Sequence, residues 1–332
     1  MSDIYRIFGA ELSPYSVKVR SYFRYKQIPH QWILRNADAG EEYAKYAKIP
    51  IIPLVVTPDA VGMQDSTPII EAVEAKFPTP SIHPEDPVCQ FLSCLLEEFG
   101  DEWGNKWMFH LRWAREEDVL SAAGRIAAMN SPAQDEATRL AVRAQVSARM
   151  VDRVSFVGSN DVTAPQIESS FQAAIPMLDA HFAKFPYLFG DRPSLGDFGM
   201  WGQIYCAWTD PTGGAWIQGH APNLLDWIHR MLWPTALGDF VSWSDLKETL
   251  TPLLKTQVGD LFMPWTLANA QAMMSGGEEF SVELNGETWT QVPQKYHAKS
   301  LQVLRGKYAA EADMDGLNEV LDAIGCLEGL RA

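Results

Sequence analysis

A proline-rich linker divides this chain into two stretches with different secondary-structure patterns. Before it, alternating β-type runs and amphipathic helical runs follow in the order β-α-β-α-β-β-α. After it, helical periodicity continues to about residue 231 with no convincing strand. The pattern predicts an α/β domain over residues 1–79 and an all-helical domain over residues 86–245. The predicted helices of the second domain are 87–117, 119–129, 134–156, 164–184, 195–209 and 222–231.

The remaining residues, 246–332, form a C-terminal extension that mixes α and β patterns. Two alternating runs joined by Asn285-Gly286 predict a β-hairpin over residues 280–292. A helical stretch around Pro264 to Met274 precedes the hairpin, and helices over 293–309 and 313–329 follow it. Polar and aromatic residues near the end of the hairpin could cover a cleft, contact a partner or anchor the extension. These residues are Trp289, Gln294, Lys295, Tyr296 and His297.

Composition narrows the classes of function. The formal net charge of −15 argues against nucleic-acid binding, because phosphate contacts need a basic surface. No apolar run approaches the roughly 20 residues of a membrane helix, and the N-terminal residues lack the order of a signal peptide. We therefore expect a cytoplasmic protein without a membrane partner. The four cysteines form no C-x-x-C pair, which favours reduced structural thiols and no metal.

Three features of the first domain could bind a ligand. Ser13-Pro14-Tyr15-Ser16 opens the first helix, where a hydroxyl can donate a hydrogen bond to a bound thiolate. Pro53 interrupts an apolar strand, as a cis proline that bares the preceding backbone would, or as an ordinary edge-strand proline. Asp65-Ser66 opens the third helix, where the pair could hold an amino-acid headgroup or only cap the helix. Capping is equally an alternative for Ser13.

Together these three features resemble the glutathione-binding half of the glutathione S-transferase family. The later segments Pro186–Asp197 and Pro222–Met231 are also similar to that family, so the resemblance covers about residues 3–235. It implies a thioredoxin-like N-terminal domain followed by an all-α domain, with the 246–332 extension as an addition to the usual pattern. It also implies glutathione as co-substrate and assembly as a homodimer.

The resemblance assigns a role to several residues. Ser13 would face the glutathione sulfur, and the backbone of Ile52, before a cis Pro53, would pair with the cysteinyl part. Asp65 and Ser66 would hold the γ-glutamyl end. Lys48 could pair with the glycyl carboxylate, although it lies three residues before Ile51 rather than directly before the proline segment. Because neither position 13 nor position 16 is cysteine, the thiol-exchange activity of some relatives lacks its nucleophile here.

A second substrate would lie between Tyr15 and the helical domain. Trp103, Trp107 and His110 share one face of the long predicted helix by their i, i+4, i+7 spacing. This aromatic face could line an apolar pocket for an electrophile, or it could be the core of the helix bundle.

The sequence thus predicts an enzyme that adds or conjugates glutathione to a small apolar electrophile, with Ser13 stabilising the thiolate. The alternative is a non-catalytic protein that binds glutathione or interacts with other proteins through its C-terminal extension.

Overall fold

The N-terminal domain has the predicted thioredoxin-like order of elements. The computed structural model describes residues 4–130, 135–311 and 316–331. Four strands form one sheet in the order β2-β1-β3-β4, in which β1 is parallel to β2 and antiparallel to β3. The elements are β1 (Tyr5–Gly9), α1 (Pro14–Tyr25), β2 (His30–Leu34), α2 (Gly40–Ala44), β3 (Leu54–Val56), β4 (Gly62–Gln64) and α3 (Ser66–Lys76).

The second region is helical, as predicted. The long helix consists of α4, a π-helical segment at Gly100–Gly104 and α5, and it ends at Arg115, whose backbone is extended. Helix α9 lies at the centre and packs against α1 and α4, which joins the two domains through one continuous core. The helices are α4 (Pro87–Phe99), α5 (Asn105–Ala114), α6 (Glu116–Asn130), α7 (Glu136–Val151), α8 (Ala164–Phe182), α9 (Leu195–Trp208), α10 (Pro211–His220) and α11 (Pro222–Arg230).

Helix α10 is absent from the sequence prediction. Gly213 and Gly214 lie in its first turn, and glycine is among the poorest helix formers. A Cβ atom on Gly213 would lie 2.4 Å from the carbonyl oxygen of Ala207 at the end of α9. The close approach of α9 and α10 therefore requires glycine at position 213. The same glycine weakens the sequence pattern of a helix, which is why α10 was not predicted.

The C-terminal extension continues as helix, hairpin and helix. The hairpin is confirmed: β5 and β6 pair antiparallel around Asn285-Gly286. The sequence prediction missed a helix that begins at Trp243. The predicted boundary between the second domain and the extension, at residue 246, lies inside this helix. Predicted helix 313–329 is instead two short helices separated by Gly325, and its residues 313–315 lie outside the described part. The elements are α12 (Trp243–Leu253), a π-helical segment (Leu254–Phe262), α13 (Met263–Ser275), β5 (Phe280–Leu284), β6 (Glu287–Gln291), α14 (Lys295–Glu311), α15 (Leu317–Ala323) and α16 (Leu327–Arg331).

The described helices also bear on membrane insertion. Within residues 4–130, 135–311 and 316–331, none is both long enough and apolar enough to cross a bilayer.

The extension is part of the main core, since Trp265 and Trp289 are fully buried with the helices of the second region.

Gly259 allows the end of the extension to pack against its π-helical segment. A Cβ atom on Gly259 would lie 1.8 Å from the carbonyl oxygen of Ile324. We expect Gly259→Ala to lower the free energy of unfolding by more than about 2 kcal/mol in urea titrations, because backbone must move to relieve the overlap. Gly306→Ala is the control: it lies inside α14 with open space around its Cβ position, and we expect it to stabilise the protein by up to about 1 kcal/mol. Equal stabilities of the two variants would contradict the packing.

Candidate functional site

Ser13 is the N-cap of α1, and among the described residues its hydroxyl group accepts hydrogen bonds but donates none. Its Oγ accepts hydrogen bonds from the backbone N–H of Ser16 at 3.3 Å and from the Ser16 hydroxyl at 2.9 Å. Within the described residues no acceptor takes the proton of Ser13 itself. Ser16 is fully buried, whereas Ser13 is partly exposed. Ser13 can therefore donate a hydrogen bond to a group placed at the N-terminus of α1, where the helix dipole also favours negative charge.

Ser13 opens into a cavity of about 470 Å³ between α1 and the helical region. Apolar and polar residues both line this cavity, and the polar ones include groups from α5 and from the C-terminal extension. The apolar residues are Leu12, Pro14, Met108, Phe109, Trp113, Ile126, Met150, Phe156 and Val157. The polar and charged residues, with Tyr15, are Ser13, Glu102, Asn105, Lys106, Arg112, Arg153, Gln294, Tyr296 and His297.

Tyr15 lines the same cavity, but its hydroxyl proton already forms a hydrogen bond within the protein. Its hydroxyl donates a hydrogen bond to the carbonyl oxygen of Asp101 at 3.0 Å. Burial, with the nearby Glu102 and Asp101, raises the pKa of Tyr15 well above its ordinary value, so the phenol stays neutral. Of the three hydroxyl groups at the start of α1, those of Tyr15 and Ser16 already donate hydrogen bonds, so Ser13 is the available donor.

The peptide bond between Ile52 and Pro53 is cis, as the family resemblance implies. In the described part of the chain, the backbone N–H and C=O of Ile52 form no hydrogen bond, so both can pair with a peptide-like ligand. The side-chain amide of Gln64 holds the preceding loop by accepting from the backbone N–H of Lys48 at 2.8 Å and donating to the carbonyl oxygen of Ile51 at 3.0 Å. Lys48 is exposed, and none of the described carboxylates forms an ion pair with it.

Asp65 and Ser66 lie at the start of α3 in different surroundings. Asp65 has a φ of 78° and its side chain caps no backbone N–H of the helix. Its carboxylate instead accepts hydrogen bonds from the Tyr296 hydroxyl at 3.1 and 3.2 Å. Ser66 is buried, and its hydroxyl lies 3.4 Å from Asp101 Oδ2 and 3.5 Å from Lys18 Nζ.

Lys18 connects this site to the helical domain, and sequence analysis gave it no role. Its ammonium group is fully buried and lies 2.5 Å from Glu97 Oε1 and 2.6 Å from Asp101 Oδ2. Burial raises the pKa of Asp101 to about 7, although Lys18 opposes the shift. No local pattern marked Lys18, because a buried charge depends on partners and these come from α4 and the π-helical segment.

The extension supplies part of the cavity wall. Gln294, Tyr296 and His297 line it, and His297 Nδ1 is hydrogen-bonded to Glu102. Their position is compatible with the first role left open by the sequence, that of covering a cleft, whereas Trp289 is fully buried in the core.

Lys106 lies where the extension meets α5. Its ammonium group lies 3.8 Å from the ring centre of Trp265, 5.3 Å from Trp289 and 5.7 Å from Trp103. It also donates a hydrogen bond to the carbonyl oxygen of Val157 at 2.9 Å. Burial lowers the pKa of Lys106 to about 7. The three indole rings stabilise this amine when it is charged and tie the extension to α5.

The predicted aromatic face of the long helix does not line the cavity. The indole N–H groups of Trp103 and Trp107 each donate to Ser170 Oγ at 2.9 Å, inside the bundle core. His110 is buried between Ser159 and Glu168. The adjacent face of the helix, which carries Glu102, Asn105, Phe109 and Trp113, is the one that borders the cavity. The periodicity identified a buried stripe but not the direction in which the cavity lies.

The four cysteines are free thiols. Cys89, Cys206 and Cys326 are buried and Cys94 is partly buried. Burial raises the pKa of Cys94 and of Cys206 to about 11, so neither is a thiolate at neutral pH. Within the described residues, no three histidine, cysteine, aspartate or glutamate side chains are grouped as a metal site.

Comparison with known proteins gives two matches to family models. Residues 7–81 match the model described as "Glutathione S-transferase, N-terminal domain", and residues 144–230 match "Glutathione S-transferase, C-terminal domain". No curated protein matches the chain.

Solved structures that are similar to this chain include three bacterial proteins. A glutathione S-transferase from Methylobacterium radiotolerans in complex with glutathione sulfonate is 20% identical, with a TM-score of 0.40, covering 72% of this chain and 99% of its own. A glutathione S-transferase from Methylobacillus flagellatus with glutathione bound is 18% identical, with a TM-score of 0.41, covering 69% and 94%. The beta-etherase LigF from Sphingobium sp. strain SYK-6 is 16% identical, with a TM-score of 0.46, covering 68% and 94%.

Proposed function

Because this chain belongs to the glutathione S-transferase family, we propose that it binds glutathione at the N-terminal domain and transfers it to a small apolar electrophile. The observation that carries the proposal is the unused hydroxyl proton of Ser13 at the mouth of the 470 Å³ cavity. In this proposal the cysteinyl backbone pairs with Ile52, and the γ-glutamyl group lies at Asp65 and Ser66. Lys48 is the candidate partner of the glycyl carboxylate.

The chemical step follows from the position of Ser13. A thiol has an ordinary pKa of about 8.5, so only a small fraction of free glutathione is thiolate at neutral pH. A hydrogen bond from Ser13, together with the α1 dipole, favours the thiolate over the thiol and lowers that pKa. The thiolate then attacks the electrophilic carbon of the second substrate. The thiol proton has by then been released to water. The sulfur–carbon bond forms either as a leaving group departs with its bonding electron pair, or as the electrons of an activated double bond move to its far carbon, which then takes a proton from water.

The electrophile would contact the apolar residues of the cavity. Phe109 and Trp113 from α5, Ile126 from α6 and Met150 from α7 line the same cavity as Ser13. These side chains exclude water from a thiolate and favour an apolar substrate. They replace Trp103, Trp107 and His110 as our candidates for the substrate pocket, while Tyr15 remains in it.

Three finer parts of the hypothesis stay predictions. They are the cytoplasmic location, the assembly as a homodimer and the identity of the electrophile. Sedimentation of the purified protein tests the homodimer, and a panel of halogenated and unsaturated substrates tests the third.

Asp65→Asn tests the glutathione site. We expect the wild-type protein to bind reduced glutathione in titration calorimetry and Asp65→Asn to raise the Kd about 10- to 100-fold, because a charged partner of the ammonium group is lost. Asp59→Asn is the matched control, since Asp59 is an exposed residue of the same domain. No heat of binding by the wild-type protein would contradict glutathione binding, and an unchanged Kd for Asp65→Asn would remove Asp65 from the site.

A further inference from the structure

Helix α14 of the C-terminal extension lies against α3, α4 and the π-helical segment that follows α4. Tyr296 is in its first turn and contacts the start of α3, next to the position proposed for the γ-glutamyl group. Three further polar contacts fix the helix in this place. The four pairs along α14 are Tyr296 with Asp65, His297 with Glu102, Ser300 with Glu98 and Lys307 with Glu71.

We propose that Tyr296 is a positioning residue of the glutathione site, whose hydroxyl holds the Asp65 carboxylate in place for the ammonium group of the ligand. This inference rests on the proposed function, because it assigns the Asp65 carboxylate to that ammonium group. It also gives the extension a role in ligand recognition that the N-terminal domain alone would lack.

The local structure of Asp65 explains why it needs a second residue. Its φ of 78° lies in the left-handed region, which is uncommon for a residue with a side chain. The side chain makes no capping bond to α3, and within the described residues Tyr296 is its only hydrogen-bond donor. Without that hydroxyl, no other hydrogen-bond donor among the described residues would fix the orientation of the carboxylate.

The hydrogen bond leaves room for a ligand. A carboxylate has about four acceptor positions on its two oxygens, and one hydroxyl proton occupies a small part of that capacity. The Tyr296 oxygen lies nearly equidistant from both Asp65 oxygens, at 3.1 and 3.2 Å. An ammonium group can therefore bind to the outer lone pairs while the tyrosine stays in place.

The charges around Asp65 make the same hydroxyl important for its ionisation. Burial raises the pKa of Asp65, and the hydrogen bond from Tyr296 opposes this increase. Burial and the adjacent carboxylate also raise the pKa of Tyr296, so it remains a protonated donor at neutral pH. The other charged groups that face Asp65 are Lys18 of α1, Glu97 of α4, Glu102 of the π-helical segment and Lys299 of α14.

The test compares two ligands in Tyr296→Phe. One is reduced glutathione, and the other is its deamino analogue, glutaryl-cysteinylglycine, which lacks only the ammonium group. We expect the variant to raise the Kd for glutathione about 10-fold, the loss typical of a hydrogen bond to a charged group, and the Kd for the analogue less than about 2-fold.

The pH dependence of binding gives a second measurement. Since the ionised Asp65 binds the ammonium group, the affinity for glutathione falls as the pH falls through the pKa of Asp65. Loss of the donor should move this acid limb upward by about one pH unit.

Tyr308→Phe is the matched control on the same helix. Its hydroxyl donates to Asn318 Oδ1 at 2.7 Å and does not contact Asp65, so neither Kd nor the acid limb should change. Equal losses for both ligands in Tyr296→Phe would show a merely structural role. Tighter binding of glutathione would show that the tyrosine competes with the ammonium group, and either result overturns the inference while glutathione binding stands. Failure of the wild-type protein to bind glutathione would overturn the proposed function and this inference together.

Discussion

Replacing Ser13 by alanine is expected to reduce turnover with glutathione and an electrophile by about 10- to 1000-fold, the loss typical of a hydrogen bond made in the transition state. The Kd for glutathione should change by no more than a few-fold, because Ile52, Asp65 and Ser66 remain. The ultraviolet absorbance of the bound thiolate, followed against pH, measures the effect directly. The midpoint should move to higher pH in Ser13→Ala, since the donor that favours the thiolate is lost.

The control for this variant must separate chemistry from helix capping. Ser242 is also an N-cap, and its hydroxyl donates to Asp245 at 2.7 Å at the start of α12. Ser242→Ala should cost about 1 kcal/mol of stability and leave both the turnover and the thiolate midpoint unchanged. If Ser13→Ala behaves in the same way, Ser13 is a helix cap and has no part in the mechanism.

Replacing Lys18 by methionine is expected to lower the free energy of unfolding by about 3–5 kcal/mol, because the carboxylates of Glu97 and Asp101 then lack their buried partner. Urea titration at neutral pH measures this loss. Lys307→Met is the control, since Lys307 forms a partly exposed pair with Glu71, and we expect it to cost less than about 1 kcal/mol.

The pH dependence of Lys18→Met gives a second, signed test. Burial already raises the pKa of Asp101, whereas Lys18 helps to hold the pKa of Glu97 below its ordinary value. Without Lys18 both pKa values rise, so the folded variant binds more protons than its unfolded chain. The stability deficit relative to wild type should therefore shrink as the pH falls from 7 toward about 5. A deficit that stays constant with pH would show that the loss comes from packing, with no contribution from the uncompensated carboxylates.

Local patterns predicted the elements whose stability is mainly local. The strand and helix order of the N-terminal domain follows from periodicity, and the hairpin follows from Asn285-Gly286, whose positive φ values suit that turn. Ser13 at the start of α1 and Asp65-Ser66 at the start of α3 were placed correctly because helix ends have their own sequence preferences. Helix α10 was missed because the contact of Gly213 with α9 overrides its poor helix propensity.

Local patterns did not identify the residues whose role depends on contacts between distant parts of the chain. The spacing of Trp103, Trp107 and His110 shows a buried helix face, but a core and a ligand pocket produce the same spacing. The partners of Lys18 come from α4 and the π-helical segment that follows it, and that pairing exists only after the two domains meet. Tyr296 lies 231 residues from Asp65 along the chain, so no local signal connects them.

By itself, the sequence determined the β-α-β-α-β-β-α order of the first domain, the helical domain and the positions where α1 and α3 begin. It did so because hydrogen bonds between near neighbours and the burial of one face of each element leave a readable period. Only the tertiary structure decided which hydroxyl is free to donate, which helix face borders the cavity and how the extension reaches Asp65. Those properties depend on burial and on partners brought together from separate elements, and they have no counterpart in local spacing.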